Sequence, residues 1–434
     1  MSERSQGQAR PSGGSLSRRG WLILLTVYML ALIVLGVILE PSQDLWDGLL
    51  RIFQAPGVLI SDYAEIGGLG SALVNAGLVG IGGILLAQFS GVDFSGAIVA
   101  AVFTMAGFGL FGKNVWSIWP IILGVALFGR VVRRPFERYI IVAMFGTALA
   151  PLVTQVAFGF GLPLLLGLLL GTLAGVVVGF VLPSLAVYML RLHQGFSLYN
   201  VGLTCGLLGI VVIALLESVG LEVSLAGHWS TEYSRVLGIA LLVYVLSMLV
   251  AGLVLARGLG RIRRLVREAG MLPSDFIESH GAGTALINMG LVGLVGWGYI
   301  LLAGGVFNGP TVGGVMTMVG FAAFGKHVLN VLPVMAGVYL GSWVLVWEPG
   351  QAGPLLAALF ATTLAPLSGR FGPLLGVLAG GIHLTMVMRT GPWHAGLNLY
   401  NNGLAGGLTA TLIVSVITWW SSWREEHPGR ERRG

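Results

Sequence analysis

The only two lysines of the chain, Lys113 and Lys326, stand 213 positions apart (326 minus 113) in near-identical surroundings. The first closes the run Thr104-Met-Ala-Gly-Phe-Gly-Leu-Phe-Gly-Lys113-Asn, the second Thr317-Met-Val-Gly-Phe-Ala-Ala-Phe-Gly-Lys326-His. An ammonium held within apolar sequence can bind an anion or a strongly polar solute, and ionisable residues placed there are functional by default. The competing reading is a lysine behind a Gly helix cap, favourable to the helix dipole and snorkelling to the headgroups. Arginine supplies the remaining Lys/Arg-type cations, and its guanidinium does not replace a compact, tunable ammonium.

The same offset repeats other polar residues. Asp62-x-x-Glu65 matches Asp275-x-x-Glu278 just ahead of an apolar helix, where aspartate as N-cap and glutamate three residues on satisfy orphan N–H groups. The alternative makes these carboxylates the two mouths of a pathway. Asn75 and Asn288 lie well inside apolar helices, so each amide must face another helix or a water-lined cavity. Tyr199-Asn200 and Tyr400-Asn401-Asn402 open the last span of each copy, as interfacial anchors with an N-cap or as a polar lining. Thr104, Thr317, Thr147, Thr362 and Thr363 add hydroxyls whose simplest role is bonding back to their own helix. His383 has no counterpart in the repeat.

These residues sit in one structural unit used twice. Copy one runs over 21–218 and copy two over 235–420, with a loop at 219–234 and polar, arginine-bearing tails at 1–20 and 421–434. Spans in copy one are expected at 22–39, 71–89, 97–112, 116–131, 139–158, 161–189 and 198–216. The third and fourth are short for the roughly 20 residues of a crossing. Gly167, Gly171, Gly175 and Gly179 form a close-packing stripe that Gly372, Gly376 and Gly380 repeat.

Equivalent loops carry opposite charge. Glu40, Asp44, Asp47 and Arg51 correspond to Arg257, Arg261, Arg263, Arg264 and Arg267, and Arg130 to Arg138 corresponds to a segment holding only Glu348. Glu217, Glu222 and Glu232 end copy one; Arg424, Arg430, Arg432 and Arg433 end copy two. If basic loops are cytoplasmic, the copies are inverted and each crosses an odd number of times. Seven crossings satisfy that parity, and so do five plus a re-entrant hairpin built from the third and fourth segments. A parallel duplication with drifted loop charges is the alternative.

With 10% charged residues against the roughly one quarter a soluble surface needs, the chain is expected to lie in a bilayer. Its positive charge follows topology, not nucleic-acid binding. One cysteine, Cys205, excludes an intramolecular disulfide and a thiolate cluster. No nucleotide loop, zinc motif or nucleophile elbow occurs, so neither an enzyme nor a metal or other cofactor is expected. The expected fold is all-α: a polytopic transmembrane bundle of two tandem inverted repeats with roughly 10–14 membrane segments, re-entrant hairpins among them.

At His193-Gln-Gly-Phe-Ser-Leu-Tyr-Asn200-Val-Gly-Leu and His394-Ala-Gly-Leu-Asn-Leu-Tyr-Asn401-Asn-Gly-Leu the chain resembles a bacterial family of membrane proteins catalogued as domain of unknown function 1576. The Asn-x-Gly-Leu-Val-Gly and Phe-Gly-Lys elements extend that resemblance over most of both copies. It implies a multipass plasma-membrane protein and assigns no substrate. A weaker likeness of architecture, on the Tyr-Asn-x-Gly-Leu pieces, is to urea transporters, whose phenylalanine-slot motifs are not recognisable here.

The function expected is a transporter or channel for a small polar or anionic solute. Its pathway would be lined by Lys113, Lys326, Asn75, Asn288, Tyr199, Asn200, Tyr400 and Asn401. Half-helix ends and both ammonium groups would converge near the midplane. The alternative is a membrane scaffold or partner subunit whose polar pairs only join helices. Both termini are expected in the cytoplasm, with lipid as partner and a homo-oligomer compatible with the sequence.

Overall fold

The computed structural model describes residues 16–223, 227–256 and 258–427. Residues 1–15 of the expected tail lie outside that description, as do Arg257, Arg430, Arg432 and Arg433 of the expected basic segments. Copy one comprises α1 (Arg18–Leu39), α2 (Ser42–Gln54), α3 (Tyr63–Gly67), α4 (Leu69–Phe89), α5 (Gly96–Phe108), α6 (Ile118–Val131), α7 (Ile140–Gly146), α8 (Ala150–Thr154), α9 (Leu164–His193) and α10 (Asn200–Ser218). Copy two comprises α11 (Ser234–Leu255), α12 (Gly260–Leu265), α13 (Phe276–His280), α14 (Ala282–Leu302), α15 (Gly309–Phe321), α16 (Val328–Val344), α17 (Ala352–Ala361), α18 (Ala365–Phe371), α19 (Pro373–Trp393) and α20 (Asn401–Glu426).

Among the described residues ten stretches are long and apolar enough to cross a bilayer, five from each copy. Their apolar side chains face outward: Ile23, Val27, Leu30 and Val34 on α1, Leu165, Leu169 and Leu173 on α9, and Val243 and Val250 on α11 are exposed. That is the reverse of a soluble protein and suits a surrounding of lipid tails. The expected glycine stripe lets α9 approach its neighbours, with Gly167 and Gly171 against the carbonyls of Ala157 and Val153 and Gly179 against that of Ile121. In copy two Gly376 and Gly380 do the same, but Gly372 does not. At φ +95° it is the joint between α18 and α19, a conformation that favours glycine.

Helix ends differ modestly from expectation. Ser17 caps α1 through its side chain, so the helix begins at Arg18 and not Trp21. Helix α20 continues to Glu426, making Ser421–Glu426 of the expected tail helical. The apolar pattern does not mark α2, which buries Gly48 and Ile52 while exposing Trp46 and Leu50.

Helices α5 and α6 have 13 and 14 residues, about 20 Å each at 1.5 Å per residue. They form a hairpin. α5 returns antiparallel to α4, Gly80 lying against Ala106 and Gly109 against Ala76. α6 then runs along α4 in the same direction, with Val115 bonded to Asn75 and Ile118 facing Gly82. Both outer ends of the hairpin therefore lie toward the C-terminal end of α4. Neither hairpin helix is among the five stretches of copy one long enough to cross, the count expected for five spans plus a hairpin.

At the centre α5 packs against its counterpart α15, and apart from Ala97 every residue of the two helices is buried. A Cβ on Gly107 would lie 2.7 Å from the Gly313 carbonyl oxygen, and one on Gly320 would lie 2.9 Å from that of Ala100. At the ends Gly309 meets the Leu110 carbonyl and Gly96 that of Ala323. The pair therefore runs antiparallel. Exchanging each residue with its counterpart 213 positions away reproduces the same contacts. α10 and α20, also counterparts, run antiparallel too: Leu203 meets Gly407 and Gly206 meets Leu404.

Candidate functional site

The two lysines occupy the hairpin turns. Gly112 and Gly325, immediately before them, have φ of +75° and +141°, the conformational region that favours glycine. The turn carries each side chain into the protein, and Lys113 and Lys326 are 1% and 0% exposed, which rules out snorkelling to the headgroups.

Each lysine meets a threonine set by a proline. Pro151 has no N–H and its ring excludes a regular helix bond to residue 147, so the chain tightens and Ala150 donates to Thr147 instead. Pro366 does the same, with Ala365 donating to Thr362. The breaks place Thr147 Oγ1 2.7 Å from Lys113 Nζ and Thr362 Oγ1 2.7 Å from Lys326 Nζ. Each hydroxyl donates its own hydrogen backward, to Met144 or Leu359 at 2.6 Å, so each must accept from the lysine. Lys326 Nζ also donates to the Tyr199 hydroxyl.

Aromatic rings complete the surroundings. Lys113 Nζ lies 5.1 Å from the Phe108 ring centre, and Lys326 Nζ lies 4.5 Å from that of Tyr199 and 5.1 Å from that of Phe321. Between the lysines the rings form a continuous cluster: Phe108 to Tyr400 at 4.8 Å, Tyr400 to Tyr199 at 5.1 Å and Tyr199 to Phe321 at 4.7 Å. The ammonium groups consequently do not converge. α5 and α15 lie side by side, not tip to tip, so their turns fall at opposite ends of the pair. The signal for the cluster was in the sequence, since Phe108 and Phe321 hold the same place five residues before each lysine.

The other polar residues serve the backbone. Asn75 Nδ2 donates to the Gly109 and Lys113 carbonyls at 2.7 and 3.0 Å, and its Oδ1 accepts from Val115 N at 3.3 Å. Asn288 donates to the Ala322 and Lys326 carbonyls at 2.8 and 2.7 Å. Both amides clamp the hairpin turns. Asn200 and Asn401 bond His193 and His394 at 3.0 Å and donate to the Ala186 and Val387 carbonyls, tying each last helix to the one before it. His383 is held by Asn402 at 2.9 Å. Tyr199 and Tyr400 are 2% and 1% exposed, so the interfacial-anchor reading fails for both. Thr317 bonds back to Gly313, while the Thr104 hydroxyl faces that of Tyr400.

Asp62 and Asp275 cap helices, as one reading had it, but across the repeat as well. Asp62 accepts from Ala64 N and Ser230 N and, at 3.3 Å, from Gly309 N at the start of α15. Asp275 accepts from Ile277 N and Glu278 N and, at 2.8 Å, from Gly96 N at the start of α5. Burial pushes the Asp62 carboxyl up to about 6 despite these donors. Glu65 and Glu278 close no capping box. Glu65 is exposed beside His228 at 3.3 Å, next to a cavity of about 540 Å³. Glu278 is exposed on another of about 960 Å³, shared with Asp93, Glu268 and Asp275.

A helical bundle sheathed in apolar side chains, with ten candidate spans around a buried pair of short helices, defines a multi-span membrane protein. Residues 41–218 and 256–419 match the model of the family described as Protein of unknown function (DUF1576), and the chain belongs to that family. No curated protein and no solved structure matches, so the likeness to urea transporters gains no support.

Proposed function

We propose that the protein is a transporter or channel for a small polar or anionic solute, its pathway running beside the α5–α15 pair between two oppositely oriented copies. The hairpins α5–α6 and α15–α16 enter from opposite faces of the membrane. The basic segments at 130–138 and 258–267 and both termini lie on the cytoplasmic side of the plasma membrane. One observation carries the reading: two fully buried lysines, one per copy, reach an aromatic centre in which, among the described residues, no carboxylate pairs with either. Placing an ammonium there is costly, and a structural role would be met at less cost by an apolar side chain.

A scaffold or partner-subunit role has its own support, because Asn75, Asn288, Asn200 and Asn401 are all engaged with backbone carbonyls. Solute flux separates the two. Reconstituted into liposomes, the chain should pass at least one small polar or anionic solute faster than empty vesicles, and Lys113→Met with Lys326→Met should abolish that flux without unfolding the protein. Flux indifferent to both substitutions would refute the pathway, and no flux for any solute would favour the scaffold.

A further inference from the structure

The lysine surroundings say more about the solute, on the premise that the pathway reading holds. An ammonium has three N–H donors. Lys326 spends two, on Tyr199 and Thr362, and Lys113 spends one, on Thr147. At least one donor per lysine is unspent in a place closed to bulk water. The threonine hydroxyls bring no charge, and the ion pairs His228–Glu65 and His280–Glu268 both lie outside this centre. Ring faces offset only part of the cost of burying an ammonium. What each shell lacks is a negative charge.

We propose that each lysine and its rings form a binding site for a small, planar, monovalent oxyanion of the carboxylate or nitrate class, so that the solute is an anion and not a neutral molecule. One ammonium per shell matches one negative charge. Its unspent donors take one oxygen. On the Lys113 side a second oxygen finds the hydroxyls of Thr104 and Tyr400, each 1% exposed and facing one another. On one side an apolar cavity of about 330 Å³, bounded by Leu272 and Pro273, reaches the rings of Tyr199, Phe321 and Tyr400, behind which the lysines lie. Its apolar walls strip water from an ion before the lysine is met, and an unpaired cation then holds the ion more strongly than in water.

The test measures binding and flux separately on the full-length protein. In detergent, radiolabelled formate should bind saturably and be displaced by nitrate but not by urea. Lys113→Met with Lys326→Met should weaken that binding at least about tenfold while the protein still unfolds cooperatively. Tyr400→Phe, which removes one neutral hydroxyl facing only that of Thr104, should weaken it several-fold while the protein still unfolds cooperatively. In liposomes, formate uptake should accelerate when the interior is made positive. Formate binding untouched by these substitutions, or displaced equally by urea, overturns the anion site. Flux of a neutral solute without formate binding overturns the anion site alone and leaves the pathway standing. Formate binding without flux supports the site and overturns the transport reading, and absence of both overturns both.

Discussion

Replacing Asn75 by leucine keeps the side-chain size and removes every polar atom from the clamp at the first hairpin turn. Three groups then lose a partner: the Gly109 and Lys113 carbonyls and the Val115 N–H. The site is buried, Asn75 being 2% exposed, so water does not replace the amide. At about 1–3 kcal/mol for each stranded group, the loss comes to roughly 3–7 kcal/mol, with the long bond to the partly exposed Val115 at the low end. The same change at Asn288 strands only the Ala322 and Lys326 carbonyls, because Asn288 Oδ1 has no partner to lose, so its cost is smaller at roughly 2–6 kcal/mol. Thermal unfolding in detergent should therefore rank wild type above Asn288→Leu above Asn75→Leu. Unchanged stability in both variants, together with altered solute flux, would refute the clamp and return these amides to the lining of a pathway.

The remaining predictions use other parts of the centre. Tyr199→Phe removes the hydroxyl that Lys326 bonds and should destabilise by about 1–3 kcal/mol, whereas Tyr400→Phe, whose hydroxyl faces only the neutral hydroxyl of Thr104, should lower the unfolding temperature less. Gly107→Ala places a methyl 2.7 Å from the Gly313 carbonyl oxygen and should cost about 1–3 kcal/mol or prevent folding, as judged by the monodisperse fraction on gel filtration. Asp62 lies between the spans at 18–39 and 69–89 and has its carboxyl raised from 3.8 to about 6 by burial, so the folded chain holds that proton more tightly than the unfolded one. Its contribution to stability should be complete below about pH 4 and lost as pH rises through about 6, and Asp62→Asn should flatten that slope in unfolding temperatures taken across the range.

Much of the molecule follows from local pattern. Long apolar runs place the ten candidate spans, proline after Thr-Ala-Leu-Ala and Thr-Thr-Leu-Ala breaks two of them, and glycine before each lysine turns the chain. The 213-residue offset alone makes Lys113 and Lys326, Asn75 and Asn288, and Asp62 and Asp275 counterparts. Those are properties of neighbours in sequence, where sterics and hydrogen-bond supply act over a few residues, and of a repeat that copies them.

Only docking of the two copies decided the rest. Side-by-side antiparallel packing of α5 and α15 sends the lysines to opposite ends of the aromatic centre, and it carries Asp62 to Gly309 and Asp275 to Gly96. These partners are 247 and 179 residues apart in the chain. Periodicity marks such side chains as apolar-facing or polar, but which surface each one meets depends on how two separately folded hairpins settle against each other. The close approach that sets their register rests on glycine, which leaves no side-chain pattern of its own to read.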